Sequence, residues 1–254
     1  MWPIRSKQLE VYLGSHLVGW RWAGAEVEHW QDTCSLEEGL SLVRTELNSR
    51  PKARLRVWLA SSLARPLALM SMAESGARNA DELRALARAQ VSTQQTSPDT
   101  ADVAIWLGRP PRSPNWLAVA VDGPNWATIR AAFAVGSTRV DSIRPWWDQA
   151  LPSILPKAEK TTGVADGTVT SFSIAEPDGM ILGATRQGLL IDIGFELAAA
   201  YDPDWQLTLR RHALSVGAQG IATSLCLRKA AIPGSDRSES SMAAAVGSLE
   251  RNTQ

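Results

Sequence analysis

The chain has 254 residues and no net charge, because 26 lysines and arginines balance 26 aspartates and glutamates. Nucleic-acid-binding surfaces are usually strongly basic, so this balance argues against nucleic acid as the main partner. No window approaches the roughly 20 apolar residues that a membrane span requires, and the N-terminus lacks the apolar core of a secretory signal. We therefore expect a cytoplasmic protein that reaches a membrane only through a partner.

Metal-ligating residues are scarce. The two cysteines, Cys34 and Cys226, lie far apart, and the chain has three histidines. Zinc sites draw cysteines and histidines at short, regular spacings, so we expect no zinc site, and a reducing compartment is the default expectation. The aromatic residues are unusual in kind: 11 tryptophans stand against two tyrosines and three phenylalanines. Tryptophan serves both cores and interfaces, and burial in the core is its more frequent use.

Strands and helices alternate along the first 150 residues or so. Short alternating apolar runs predict strands, and apolar positions repeating every three to four residues behind a capping residue predict helices. The predicted strands are 9–13, 17–22, 26–30, 55–60, 67–70, 102–107, 116–121 and 138–143. A helix begun by Ser35 follows the third strand, with Leu36, Leu40, Val43 and Leu47 on one face, and a helix begun by Asn79 follows the fifth, with Leu83, Leu86, Ala87 and Gln90 inward. A helix after Asn125 has Trp126, Ile129 and Phe133 inward, and a short helix to Leu151 follows the last strand.

The remaining chain predicts a smaller set of elements. Strands are expected at 169–174, 180–185, 189–193 and 220–227, with a turn at Pro177-Asp178-Gly179. Residues 202–216 are ambiguous, because Asp202-Pro203 is typical of a helix start whereas 206–210 alternates like a strand; we favour a helix. The alternation of mixed strands with crossover helices predicts an α/β fold with two subdomains. We assign 1–156 to the first subdomain, 157–231 to a second, smaller α/β subdomain and 232–254 to a flexible tail.

Four stretches follow one another in an order and spacing that is specific. They are LEVYLGSHLVGWRW (9–22), RLRVWLASSLARPLAL (54–69), WLAVAVDGPNWATIRAAFAV (116–135) and STRVDSIRPWW (137–147). Together they resemble the actin-like (ribonuclease-H-like) fold of two cytoplasmic assembly proteins: the actin-like protein of type IV pilus machinery and the cytoplasmic domain of the L-component of type II secretion. The resemblance covers roughly residues 9–151 and implies mixed sheets layered with helices.

The resemblance also locates a candidate nucleotide site. It puts a phosphate loop at the first hairpin, with Gly14 and Ser15 in its turn. Nucleotide-binding members carry a metal-holding acidic residue two positions before that glycine, where this chain has Tyr12, and a phenol does not replace a carboxylate towards magnesium. Asp192 and Gly194 have the Asp-x-Gly form of the second phosphate loop, although such a pair also closes or kinks strands. We expect no cofactor, with ATP and Mg²⁺ as the alternative.

The resemblance further implies a partner. We expect a non-enzymatic adaptor or scaffold of a type IV pilus or type II secretion-like apparatus that docks an inner-membrane assembly protein, by strand addition or in an apolar groove. Trp146 and Trp147 are candidate partner contacts, because two adjacent large rings do not easily both face one core. Arg109 and Arg112 are further candidates in a proline-stiffened loop, which is otherwise a solvated loop. A homo-oligomer is a further expected partner arrangement, and the alternative function is an actin-like nucleotide-binding protein or ATPase.

Other catalytic signatures are weak or missing. Asp102, Asp122 and Asp141 fall near predicted strand ends, where a ribonuclease-H-like enzyme collects carboxylates for two-metal chemistry, but acidic residues at strand ends are also ordinary turn formers. Ser61-Ser62 lacks the Gly-x-Ser-x-Gly elbow of a serine hydrolase, and the chain has no Gly-x-x-x-x-Gly-Lys-[Ser/Thr] loop. The sequence therefore favours a binding protein over an enzyme.

Overall fold

A computed structural model describes residues 8–25, 28–50, 52–94, 102–109, 115–134, 138–155, 167–196 and 205–226. Strands and helices alternate within these ranges much as the sequence predicts. The strands are β1 (Gln8–Leu13), β2 (Leu17–Trp22), β3 (His29–Asp32), β4 (Arg54–Leu59), β5 (Arg65–Leu69), β6 (Val103–Gly108), β7 (Trp116–Asp122), β8 (Arg139–Pro145), β9 (Val169–Glu176), β10 (Gly179–Arg186), β11 (Leu189–Glu196) and β12 (Gly220–Cys226). The helices are α1 (Leu36–Asn48), α2 (Met72–Ser75), α3 (Ala80–Gln94), α4 (Gly123–Phe133), α5 (Trp147–Ile154) and α6 (Trp205–Ser215).

The first sheet has the strand order β3-β2-β1-β4-β8. β1 pairs antiparallel with β2 and parallel with β4, and β8 extends the sheet parallel to β4. Because side chains alternate along a strand, Leu9, Val11 and Leu13 share one face of β1, and this face is packed against α1 and α4. Glu10 and Tyr12 lie on the other face. The two sides of this sheet therefore have different neighbours.

Helix α1 begins where the capping pattern predicts. The Ser35 hydroxyl accepts a hydrogen bond from the Glu38 backbone N–H at 3.3 Å, and the Glu38 carboxylate accepts one from the Cys34 N–H at 2.6 Å. The first bond satisfies a donor that the first turn of a helix leaves without a partner, and the second ties the residue before the N-cap to that turn. The predicted inner face is confirmed, since all four of its residues are buried: Leu36, Leu40, Val43 and Leu47.

A small antiparallel sheet, in the order β5-β7-β6, is covered by α3. The buried positions of α3 recur every four residues, at Leu83, Ala87 and Val91. Leu86, predicted on the same face, is 42% exposed, so that prediction is wrong. Successive helical residues are rotated by about 100°, and Leu86 therefore lies to one side of the stripe centred on Ala87.

The last part of the chain repeats the topology of the first sheet. Its strand order is β11-β10-β9-β12, with antiparallel β9–β10 and β10–β11 pairs and a parallel β9–β12 pair. Helix α6 lies between β11 and β12 along the chain, as α1 lies between β3 and β4. The β9–β10 turn is therefore the counterpart of the β1–β2 turn. The helical interpretation of the ambiguous segment is confirmed by α6, whereas the boundary predicted between 156 and 157 and the tail predicted at 232–254 lie outside the described residues.

An aromatic layer joins the two sheets. Trp146 and Trp147 are 3% and 0% exposed, and the Trp147 indole N–H donates a hydrogen bond to the Ala64 carbonyl at 2.8 Å. The expectation that this pair is exposed to a partner is therefore wrong. Helix α5 contacts strands of both sheets, so neighbouring residues at its start are covered from two sides. Tyr12 and Trp58 of the first sheet belong to the same layer.

Candidate functional site

Three turns meet between the two sheets, and we call their meeting point the turn junction. One is the β1–β2 turn, one follows β4, and one is the β9–β10 turn. Their contacting residues are Gly14, Ser15, Ser61, Ser62 and Asp178, with Tyr12 and Glu176 from the adjoining ends of β1 and β9. The parallel courses of β1 and β4 carry the first two turns to the same end of the first sheet.

Asp178 inserts its carboxylate into the β1–β2 turn. Its Oδ2 accepts hydrogen bonds from the Ser15 backbone N–H at 3.1 Å and from the Ser62 hydroxyl at 2.5 Å. Its Oδ1 lies 3.4 Å from the Tyr12 hydroxyl. A β-carbon added at Gly14 would collide with the same carboxylate, so the missing side chain of Gly14 permits this close approach.

Glu176 is enclosed at the junction. Its Oε2 accepts a hydrogen bond from the Tyr12 hydroxyl at 2.8 Å and one from the Ser61 backbone N–H at 2.9 Å. Burial, together with the charge of Asp178, raises the pKa of Glu176 to about 8, so this carboxyl is largely protonated at neutral pH. Burial and the two neighbouring carboxyl groups raise the pKa of Tyr12 well above its usual value, and its hydroxyl therefore remains a donor.

The residues of the junction do not fit a magnesium-bound nucleotide in this arrangement. Gly14 and Ser15 lie at a turn between two sheets, as the resemblance implies, but the Ser15 N–H donates to Asp178 and the Gly14 N–H donates to the Leu17 carbonyl. Polyphosphate at this point would approach the carboxylate of Asp178 at close range, and like charges repel. Tyr12 offers a phenol to a hard cation that prefers carboxylate oxygen.

Asp192 and Gly194 lie away from the junction. In β11 they pair with Ala184 and Leu182, which puts them on the face of the second sheet that packs on α6. Ser171 of β9 faces α6, because it contacts His212. Glu176 lies an odd number of residues from Ser171 along the continuous strand β9, so Glu176 is on the opposite face. The structure therefore does not bring Asp192 to Gly14, and the prediction of a shared phosphate site for these residues is wrong. The turn that does meet the β1–β2 turn is Pro177-Asp178-Gly179, the first turn of the repeated unit, and its composition is the sequence signal that marks this position.

Asp192 instead belongs to a Ser–His–Asp chain of hydrogen bonds. His212 of α6 contacts Asp192 Oδ2 through Nε2 at 3.0 Å and Ser171 Oγ through Nδ1 at 2.9 Å. A hydrolase would use such residues with an accessible serine. Ser171 is fully buried and also bonds the Gly183 carbonyl at 3.2 Å, so no substrate reaches its hydroxyl. The chain of bonds attaches α6 to the second sheet.

The three aspartates weighed for two-metal chemistry are not assembled. Asp141 lies in β8 and forms ion pairs with Arg54 at 2.7 Å and Arg139 at 3.7 Å. Asp102 and Asp122 flank the β6–β7 pair of the small sheet. Across the described ranges, no group of three or more histidine, cysteine, aspartate or glutamate side chains is arranged to hold a metal ion.

A second feature, which we call the tryptophan groove, opens between the small sheet, α4 and the end of β8. It has a volume of about 180 Å³ and is predominantly apolar. The Trp106 and Trp126 rings meet edge to face at 4.8 Å, and Trp106 is 39% exposed. The lining residues are Leu59, Ala64, Trp106, Val119, Trp126, Ile143, Arg144 and Pro145.

The tryptophan groove was not foreseen as a site. Trp126, predicted to point inward, is only half-buried and forms part of its wall. Of the two arginines predicted as partner contacts, Arg109 is exposed and follows β6 three positions after Trp106, whereas Arg112 lies outside the described residues. No helix in the described part of the chain is both long and apolar enough to cross a membrane.

The repeated sheets and the two facing turns define an actin-like α/β protein. No protein-family model and no curated protein matches the chain. Among solved structures, a Bacteroides thetaiotaomicron protein with an actin-like ATPase fold and unknown function aligns with a TM-score of 0.56 and 9% identity, over 97% of this chain and 91% of that one. The cytoplasmic domain of EpsL, an inner-membrane component of the type II secretion system of Vibrio cholerae, aligns with a TM-score of 0.50 and 16% identity, over 87% of this chain and 83% of that one. A chain of a PilM–PilN type IV pilus biogenesis complex aligns with a TM-score of 0.49 and 11% identity, over 83% of this chain and 69% of that one.

These likenesses concern the fold. The predicted α/β fold is confirmed as actin-like, and the fold is shared with the cytoplasmic domain of the type II secretion component EpsL. Identities of 9% and 16% carry no residue roles across, so the uses of the turn junction and the tryptophan groove must be argued from this chain itself.

Proposed function

We propose that this protein is a non-enzymatic adaptor of a type IV pilus or type II secretion-like assembly apparatus, held at the inner membrane by a partner. The fold supports this proposal, because it is shared with the cytoplasmic domain of an inner-membrane secretion component. The proposal assigns partner docking to the tryptophan groove. The observation that carries it is a contrast: the turn junction is filled by the protein's own carboxyl groups, whereas the groove is open.

The chemistry of the tryptophan groove suits a short peptide segment. Trp106 and Trp126 present broad apolar surface at low conformational cost, and exposed tryptophan is enriched among residues that dominate binding energy. Arg144 lies exposed at the same groove and offers a fixed positive charge. The preferred segment would thus combine an apolar anchor with a nearby carboxylate.

The decisive experiment measures binding of a cytoplasmic segment from a cognate inner-membrane assembly protein. Trp106→Ala should weaken binding by tenfold or more, about 1.4 kcal/mol, while leaving the melting temperature nearly unchanged because the ring is partly exposed. Trp20→Ala is the matched control, since Trp20 is also half-buried but stacks on His29 in the first sheet. Equal affinity of the Trp106→Ala variant and the unmodified protein would contradict docking in the groove.

An actin-like nucleotide-binding protein is the alternative. A thermal melt with and without Mg-ATP separates the two, because a ligand at 100 times its dissociation constant adds about 2.7 kcal/mol to the free energy of unfolding. The adaptor proposal expects no shift in the unmodified protein. A clear upward shift would favour the nucleotide-binding interpretation.

A further inference from the structure

Helix α6 exposes two leucines, Leu207 and Leu214, which we call the leucine ridge. Leu207 is 45% exposed and Leu214 is 80% exposed, the highest value among the large apolar side chains of the described residues. They lie seven positions apart, so they differ by only about 20° around the helix axis. Leu209 and Ala213, the buried positions of the same helix, lie more than about 100° away. The leucine ridge is therefore separate from the side of α6 that faces the core.

Two arginines border the leucine ridge, one on each side. Arg210 and Arg211 are both exposed, and each lies about 50° from the line that joins the leucines. The described residues 206–215 of this helix include no acidic side chain. The outer side of α6 is therefore an apolar line between two positive charges.

The adjoining surface of the second sheet keeps this charge positive on balance. Arg186 is exposed at the end of β10 and, by strand alternation, lies on the face that packs on α6. Asp192 is on the same face, but its carboxylate contacts His212. Glu196 is exposed at the end of β11. Three arginines thus stand against two carboxylates, one of which is already engaged.

Charge and size together decide between possible occupants of the leucine ridge. A two-fold contact between two copies would bring arginine against arginine, and like charges repel. An acidic partner protein would match the charge, but an 11-residue helix offers a strip of roughly 16 Å by 10 Å, far below the roughly 800 Å² that each partner gives to a stable interface. A lipid surface requires no such area, because it accepts a shallow apolar ridge and supplies many phosphates.

We propose that the outer side of α6 contacts an anionic membrane surface. Leu207 and Leu214 enter the headgroup region, and the flanking arginines lie against lipid phosphates, because long basic side chains keep their charge at the level of the headgroups. The contact runs along the surface and spans nothing. It goes beyond the adaptor proposal, since it rests on α6 alone and does not depend on what occupies the tryptophan groove. A partner that holds the protein at the membrane would strengthen it by raising its local concentration.

Vesicle co-sedimentation with the full chain tests the proposal. The unmodified protein should bind vesicles of phosphatidylglycerol and phosphatidylcholine in equal parts roughly tenfold or more tightly than pure phosphatidylcholine vesicles, and added salt should weaken this binding. Leu207→Ser combined with Leu214→Ser should lower affinity for the mixed vesicles by roughly tenfold. Arg210→Gln combined with Arg211→Gln should lower it by a similar factor.

Helix α3 supplies the matched control. Leu86 is 42% exposed, close to the value for Leu207, and Arg88 is exposed on the same helix. Leu86→Ser combined with Arg88→Gln makes the same chemical changes away from α6 and should leave vesicle binding unchanged. All of these variants alter exposed side chains, so their melting temperatures should stay near that of the unmodified protein. Trp106→Ala should also bind vesicles normally, which separates this test from that of the tryptophan groove.

Several results would overturn the proposal. They are no binding of the unmodified protein to the anionic vesicles, equal binding to both vesicle types, undiminished binding of the two α6 variants, and an equal loss in the α3 control. The first result would assign the leucine ridge to an acidic partner protein instead. Hydrogen exchange gives an independent measurement, because anionic vesicles should slow the exchange of α6 amides and leave α3 amides unaffected.

Discussion

A single phenol links the two carboxyl groups at the turn junction. The Tyr12 hydroxyl donates to Glu176 at 2.8 Å and stands 3.4 Å from Asp178. Glu176 ends β9 and Asp178 lies in the β9–β10 turn, so one residue of the first hairpin contacts both carboxyl groups of the opposing turn. Tyr12 stands where nucleotide-binding members carry an acidic residue. Its phenol is a poor ligand for magnesium, but its hydroxyl can donate to a carboxyl group and so bridge the two carboxyl groups.

Glu176 should make stability depend on pH. Its pKa is about 8 in the folded protein against 4.5 for an ordinary glutamate, so the folded protein keeps a proton that the unfolded chain releases. The contribution is full below about pH 4.5 and declines as the pH rises towards 8, by up to about 1.4 kcal/mol per pH unit. Urea unfolding across this range should show a shallower decline for Glu176→Gln, which keeps an acceptor for Tyr12 and does not titrate. Parallel curves for the two proteins would contradict the assignment.

Trp147 should behave as a core residue. Trp147→Ala should lower the free energy of unfolding by about 3–5 kcal/mol, because a fully buried ring leaves a large cavity. Trp147→Phe should cost about 1–3 kcal/mol, since the Ala64 carbonyl loses its indole donor. Denaturant titration measures both, with Trp106→Phe at the exposed groove as a control. A near-neutral Trp147→Ala variant would show that the ring is not part of the core.

Helix α6 shows what sequence patterns convey about elements and what they omit. The ambiguous segment forms a helix in which Leu209 and Ala213, four residues apart, are buried. Strand alternation would put Leu207 on the same face as Leu209, but Leu207 is 45% exposed. The Asp-x-Gly pattern of Asp192 and Gly194 carried no such information. Residues two apart share a face of a strand, but nothing in the pattern says whether that face meets α6 or the turn junction. The strand was therefore predictable and its role was not.

Asp192 should matter for α6 and for nothing at the junction. Asp192→Ala removes the acceptor of His212 Nε2, so amides of α6 should exchange faster and the free energy of unfolding should fall by about 0.5–1.5 kcal/mol. Hydrogen exchange measured by mass spectrometry resolves this helix. Glu196→Ala, an exposed acidic change in the same strand, should leave its exchange unaltered. Unchanged exchange in Asp192→Ala would show that the Ser171–His212–Asp192 chain does not hold the helix.

At the scale of the whole molecule, the sequence predicts the secondary-structure elements and their order, but it does not predict contacts between residues far apart in the chain. Helix starts, strand runs and their order led to the actin-like fold, because each depends on neighbouring residues. The turn at 177–179 was also visible from its composition. What it faces was not, because Tyr12 and Glu176 are separated by 164 positions and no local signal joins them. The burial of Trp146 and Trp147 was missed for the same reason, since the sheet that covers them follows later in the chain.

The 164 positions between Tyr12 and Glu176 have a consequence for folding during synthesis on the ribosome. At roughly 5–20 residues per second, Glu176 is synthesised roughly 8 to 33 seconds after Tyr12. Until then the first sheet has no second sheet against the face that carries Tyr12 and Trp58, and its aromatic surface is open to solvent. Nascent chains in such a state are prone to aggregation. Completion of the fold then depends on a non-local encounter, and contacts of this kind slow folding.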